Sequence, residues 1–450
     1  MSKITLDDKI EYRGFWYLPS DPENSVAGTV TYYPNERIVL ELIGSFGDSL
    51  MDVFKDNKEE TILYGKASDA KDITLIQCRQ SFSLNFSARF PILRFTCDYM
   101  IVGKHILGLD EKCQYWAMVR IPELTYWCHP EAIGLNYLNG DGEKDISRIA
   151  LSFNIKYRDE ENIIDEVQIN ENTSIVLLRG VNFNESEQRL RPKIEQYTYI
   201  EVRKKNTTSI KDLLSDIFMF EQFLSFATLK IVKCSSITLY DQEQYQEGKG
   251  QKYYKAIEVI HAFFDRQDLK SQPTKAYDFL FNHATIKEIY PEILKKWYNE
   301  PMELAPIRGH LISSLEKKRV YSSVDFLIVV QSIEGFYRRF RSAKYRKEHN
   351  IEGKASSKLH SMLTELLSEF SDINLLIRNT IDIDAVVDSR IYFSHFMPKT
   401  SNLKAIDGWE LLEEARKLRI LLLCCVLSLL GFNNNQINDL LNKSNSRLFV

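Results

Sequence analysis

The sequence predicts an α+β multidomain protein with an antiparallel, β-rich, sandwich-like N-terminal domain, a mixed middle segment and a C-terminal all-α helical bundle. Three observations lead there. Up to about residue 204 the chain runs in short, alternating, β-branched and aromatic stretches set apart by turn residues. Near residue 208 the period changes to that of an amphipathic helix. From about residue 283 onward long helical segments dominate, with connections of moderate length, as in a compact bundle. The expected boundaries are 1–205 for the β-rich domain, 206–300 for a mixed, mainly helical connecting region and 301–450 for the helical domain.

In order along the chain, SVAGTVTYYP and RIVLELIGSF meet through Pro34, Asn35 and Glu36, a hairpin signal. TILYGKA, DITLIQC, FSLNFSA, LRFTCDYMIVG, RIALSFNIKY, TSIVLLRG and YTYIEVRKK continue the strand pattern, while 121–137 is ambiguous. TSIKDLLSDIFMFEQFLSFATL reads as a helix that Thr208 or Ser209 can cap, with Asp212 in its first turn. KCSSITLYD reads as a strand, and KGQKYYK as an exposed turn whose two glycines lack the spacing of a phosphate-binding loop. The helical part holds four longer segments, 322–347, 355–379, 383–397 and 407–431, preceded by a lead-in in which Trp297 is expected to be buried.

Composition narrows the function classes. Hydrophobic residues at 44% and charged residues at 27% provide for a sizeable core and exclude a disordered chain. The net charge of -4 is unevenly spread: residues 301–450 hold 21 Lys+Arg against 17 Asp+Glu, and residues 1–300 hold 37 against 45. A basic helical part beside an acidic body points to a polyanionic partner. The seven cysteines form no CxxC pair, and Cys113, Cys128 and His129 read as isolated groups, so neither a disulfide framework nor a metal site is expected, and no cofactor. The N-terminal residues lack the apolar stretch of a signal peptide, and the longest apolar run, ILLLCCVLSLLGF, is too short to span a bilayer. The expectation is a cytoplasmic protein without a membrane partner.

Two helical segments carry candidate chemistry. In 322–347, Phe326, Val330, Ile333, Tyr337 and Phe340 make an apolar stripe, and Glu334, Arg338 and Arg341 share one flank. Arg339 and Lys344 add positive charge. These cations have two readings: a solvated face with an ordinary Glu334–Arg338 pair, or RNA-binding groups for phosphate. In DSRIYFSHF, Arg390 and His395 lie about 140° apart on a helix and flank Val387, Ile391 and Ser394. They too have a structural reading, and a catalytic one. A histidine titrates near neutrality and can move a proton. An arginine can hold two phosphate oxygens and stabilise charge building on them. Together they suit cleavage of RNA by its own 2′-hydroxyl, without metal.

RIYFSHF, following a helix with VVQSIEGFYRR, resembles the HEPN superfamily, whose ribonucleases carry R-x4-6-H on a helical bundle. Within it the chain resembles the ApeA-type abortive-infection proteins: RGFWYLPSDPENSVAGTVTYYPNERIVLELIGSFGD, YGKASDAKDITLIQC, FEQFLSFAT and ILKKWYN are similar to that family's segments. The resemblance implies an antiphage endoribonuclease with Arg390, His395 and Glu334 as catalytic residues, Glu334 being the acidic position on the preceding helix that orients His395 or helps shape the site. It implies a cellular RNA substrate, transfer RNA first, and a homodimer through the HEPN domain with a tetramer left open. It also implies an N-terminal domain that controls activation by a phage-derived activator. Many members have Asn after the arginine where this chain has Ile391; an Arg–Asn pair occurs at Arg378–Asn379, with no histidine at the required spacing. The alternative is a non-catalytic HEPN regulatory or RNA-binding module.

Overall fold

The computed structural model describes residues 4–34, 36–46, 61–81, 92–129, 133–137, 149–153, 162–184, 193–248, 251–262, 279–299, 304–316, 323–341, 346–347, 358–395 and 404–444. FSLNFSA, read above as a strand, lies outside them. The chain forms two compact units, one of residues 1–219 with 233–273, the other of 220–232 with 274–450. Residues 206–300 are thus divided between the two.

The first unit begins with a closed barrel. Its strands are β1 (Ile10–Leu18), β2 (Asp21–Tyr32), β3 (Ile38–Ile43), β4 (Thr61–Ala67), β5 (Asp72–Ser81) and β6 (Ile92–Cys97). They pair antiparallel in the circular order β1-β2-β3-β6-β5-β4, with β4 returning to β1. Alternation turns Trp16, Val30, Leu40, Leu42, Leu63 and Leu75 into the core. The barrel then opens into a sheet. β7 (Tyr99–Val102) follows β6 after only Asp98 and keeps the same register on β5, from Arg79↔Thr96 through Ile76↔Tyr99. At this corner Cys78 and Cys97 stand with their Sγ atoms 3.0 Å apart. Beyond β7 the sheet continues through 251–261, 236–248, 115–120, 193–204, 173–184 and 163–168, all antiparallel. The expected antiparallel β domain is therefore a six-stranded barrel whose strands run on into an open sheet.

Several local readings resolve here. The ambiguous 121–137 stretch supplies the helix Pro122–Cys128 and the strand Ile133–Tyr137. KGQKYYK is not a simple turn, because Gln251–His261 is a strand paired with Ser236–Gly248. Cys113 lies near the Lys104 ammonium, which bonds Asp241 at 2.8 Å, Cys128 is buried and His129 is exposed.

The second unit is helical, as expected. Its axis is the helix Gly408–Leu430, in which every residue from Ile420 to Leu427 is buried. Asp407 caps its start and Gly431, in the left-handed region, its end. Around it pack Tyr290–Asn299, Ser323–Phe340, Leu359–Glu369, Asn374–Arg378 and Asn434–Lys443. Trp297 is buried, and so is the stripe Phe326, Val330, Ile333, Tyr337 and Phe340. Among the described residues no helix is long and apolar enough to cross a membrane. The 355–379 segment is broken between Phe370 and Ile373. The groups freed by the break are bonded from another helix: Asn434 donates to the Glu369 carbonyl and Asn438 accepts the Asn374 N–H, both at 2.9 Å.

Candidate functional site

The helix Ile383–His395 starts at Asp382, whose carboxylate accepts the Ala385 N–H at 3.0 Å, an N-cap bond. Ala385, Val386 and Ser389 form its buried face, against the helices 323–340 and 359–369. On one edge the returning chain ties it down. Asp388 accepts the Lys404 N–H at 2.7 Å, Ser389 accepts the Ile406 N–H at 3.0 Å, and Asp384 pairs with the Lys404 ammonium at 2.9 Å. The helix is therefore held on two sides, and its third face carries Val387, Ile391, Ser394 and the exposed His395.

Arg390 lies at the edge where this helix meets 323–340. Its Nη2 is 3.6 Å from Glu334 Oε2, while Glu334 Oε1 accepts from Arg338 Nη2 at 2.6 Å. Both readings of Glu334 meet here: the expected i,i+4 pair exists, and the same carboxylate also reaches the arginine of the neighbouring helix. Glu334 is the more sheltered partner, its side chain 16% exposed against 31% for Arg390. Arg390 Nε is buried without a hydrogen-bond partner. The guanidinium thus keeps donor capacity while one edge is steered by a carboxylate. His395, a turn and a half further on, makes no hydrogen bond among the described residues.

The other cations divide. Arg338 and Arg339 are exposed on the 323–340 helix, Arg339 donating to the Gly335 carbonyl at 3.3 Å. Arg341 is drawn away: its guanidinium grips both oxygens of Glu369, at 3.0 and 2.6 Å, on the helix 359–369. Beside it Tyr337 donates to Glu365 at 2.5 Å and Arg346 to the same carboxylate at 3.1 Å. Arg341 therefore belongs to a structural network between two helices and is not brought together with Arg390. Lys344 lies outside the described residues. Among those residues no cluster of His, Cys, Asp and Glu could hold a metal ion.

One group escaped the sequence reading. Arg419 interrupts the apolar face of the 408–430 helix, between the buried Leu418 and Ile420, and lines a cavity with Asp325 and Phe393. The signal was present as a charge inside a long apolar helix.

Residues 11–297 match the family model described as ApeA N-terminal domain 1, and residues 327–436 that described as Apea-like HEPN. No curated protein and no solved structure matches the chain. The second match contains the whole of the helix with Arg390 and His395 and most of the helix with Glu334, and the first spans well over half of the sequence; the chain belongs to the ApeA family, as an ApeA-like HEPN abortive-infection protein.

Proposed function

We propose that the protein is a cytoplasmic antiphage ribonuclease that cleaves RNA without metal, through Arg390 and His395. The observation that carries this reading is the Glu334–Arg390 pair across two helices, with an arginine donor left unbonded and an exposed histidine further along the same helix. In this scheme the RNA 2′-hydroxyl attacks the adjacent phosphorus. The new O2′–P bond forms as the P–O5′ bond breaks. A proton leaves the 2′-hydroxyl and one is delivered to the departing O5′, a transfer served by His395, while Arg390 stabilises the phosphoryl oxygens as charge grows on them. Glu334 acts through Arg390, as a positioning residue. The products carry a 2′,3′-cyclic phosphate and a free 5′-hydroxyl. Exposed Arg338 and Arg339 fit contacts to flanking phosphates. Transfer RNA is the first substrate to try.

Val387 and Ile391, both half-buried, give the 383–395 helix an apolar strip between Arg390 and His395, which fits packing against a second copy and a site shared by two chains. The N-terminal unit, with its excess of acidic residues, fits a controlling role that a phage-derived activator would relieve. A second reading has its own support: His395 has no partner among the described residues and Ile391 replaces the Asn of many relatives, as in a non-catalytic module that only binds RNA.

The deciding experiment is cleavage of transfer RNA and total RNA by purified protein in EDTA, alone and with phage-infected lysate. The ribonuclease reading expects cyclic phosphate ends, and a loss of about 100-fold or more in His395→Ala and Arg390→Ala. Equal cleavage by all three proteins, or RNA binding without cleavage even with lysate, would overturn it.

A further inference from the structure

The two helices that carry Glu334 and Arg390 also wall a cavity of about 340 Å³. Asp325 and Phe326 enter it from the helix 323–340, Phe393 from 383–395, and Leu411 and Arg419 from 408–430. Asp325 is only 8% exposed. Arg419 makes no hydrogen bond and no ion pair among the described residues, and its Nε is buried. Burial pushes the Arg419 pKa down, while the nearby Asp325 pulls it back up. A half-buried guanidinium that lines an open space and bonds none of the described residues has donors to offer a ligand.

The charges say which acceptors. A phosphate would meet Asp325 and also Asp407, whose carboxylate accepts the Gly408 N–H at the cavity rim. A neutral ligand with acceptors at one edge and donors at the next would suit the opposite charges of Arg419 and Asp325, whose carboxylate can accept more than one hydrogen bond. Guanine has this order: O6 and N7 suit an arginine fork, and N1–H and N2–H suit a carboxylate. Phe326 and Phe393 add aromatic surface for the ring. Adenine presents an amino donor where guanine has O6, and cytosine has no paired O6 and N7, so both leave Arg419 poorly satisfied. Phe393 stands three residues after Arg390, about 4.5 Å along the helix axis, and two before His395.

We propose that this cavity is a guanine-binding subsite that holds a base next to the scissile phosphate and sets where RNA is cut. The assignment rests on the ribonuclease reading above.

The test uses the full-length protein in two assays. Calorimetric titration with guanosine, adenosine and cytidine 5′-monophosphates measures base binding, and end-mapping on an RNA of mixed sequence measures cleavage preference. Wild type is compared with Arg419→Met and Arg419→Lys. The melting temperature of each variant is measured alongside, and Arg419→Lys, which keeps a positive charge beside Asp325, separates loss of binding from loss of fold. The expected result is guanosine monophosphate bound roughly tenfold or more tightly than the other two. Arg419→Met should lose that preference in both assays, and Arg419→Lys, without the fork, should keep little of it. Absence of binding up to about 1 mM, or equal affinity in wild type and Arg419→Met, overturns the subsite. The two layers fail separately. Cleavage that depends on His395 but shows no Arg419-dependent guanine preference removes the subsite and keeps the nuclease. Arg419-dependent guanine binding with no RNA cut upholds the guanine site and removes the nuclease beneath it.

Discussion

Glu334 holds Arg338 of its own helix at 2.6 Å and Arg390 of the neighbouring helix at 3.6 Å, so a single carboxylate sets the position of two guanidinium groups. If Arg390 stabilises the phosphate during cleavage, its aim depends on that charge. Glu334→Gln keeps the shape and removes the charge. Cleavage should fall by roughly ten- to a hundredfold, the scale of a misplaced catalytic group. Stability should change by about 1 kcal/mol or less, since the pairs are partly solvated. Unchanged cleavage by Glu334→Gln in a gel assay would show that Arg390 needs no such support.

The half-buried strip of Val387 and Ile391 lies between Arg390 and His395 on the 383–395 helix. If a second copy covers it, Ile391→Asp places a charge in an apolar contact. The variant should sediment as a monomer where the wild type sediments as a dimer, and cleavage should drop with it. The Ile391 side chain is half-buried, so the charge should cost about 1 kcal/mol and lower the melting temperature by roughly 2–4 °C, too little to unfold the protein. An Ile391→Asp protein that still assembles and still cleaves would remove this strip from the interface.

Much of the helical unit was legible because its signals are local. Thirteen mostly apolar residues from Ile420 to Phe432 could only be a core helix, and the stripe from Phe326 to Phe340 has a helix period. Strand alternation likewise announced an antiparallel β domain. What stayed hidden depends on partners remote in sequence. The barrel closes through β5 against β6, a pairing no single stretch encodes. The break between Phe370 and Ile373 is held by Asn434 and Asn438, more than 60 residues away. Arg341 shares its helix flank with Glu334 in projection, yet Glu369 claims it across a helix pair. In the same way, Arg390 and His395 were legible as a motif, but the carboxylate reaching Arg390 was visible only once two helices were packed.

In the barrel, Trp16 lies directly opposite Gly65 in the β1–β4 register, with the indole over the glycine. A methyl group added at Gly65 would stand 2.5 Å from Trp16 Cε3. The indole is fully buried. Gly65→Ala should therefore destabilise the protein by about 1–3 kcal/mol through overpacking. Thermal unfolding followed by tryptophan fluorescence checks it, and wild-type stability in the variant would mean that the strand pair can slide apart at no cost.

Glu201 gives the open sheet a pH dependence of definite sign. It is buried on the strand 193–204 and bonds Arg203 at 2.7 Å, with Glu166 also in its field. Desolvation raises its pKa above the ordinary 4.5, and the attraction of Arg203 only partly offsets that. A carboxyl with a raised folded-state pKa binds its proton more tightly folded than unfolded. Its stabilising contribution is complete below the unfolded value and is lost as pH rises through the folded one. Glu201→Gln cannot lose a proton, so it escapes this loss. The urea midpoint of the variant should gain on that of the wild type as pH rises from about 4 to about 7, reaching a plateau above the folded pKa. A gain by the wild type over the same range would mean that the Arg203 pair outweighs the cost of burying the charge.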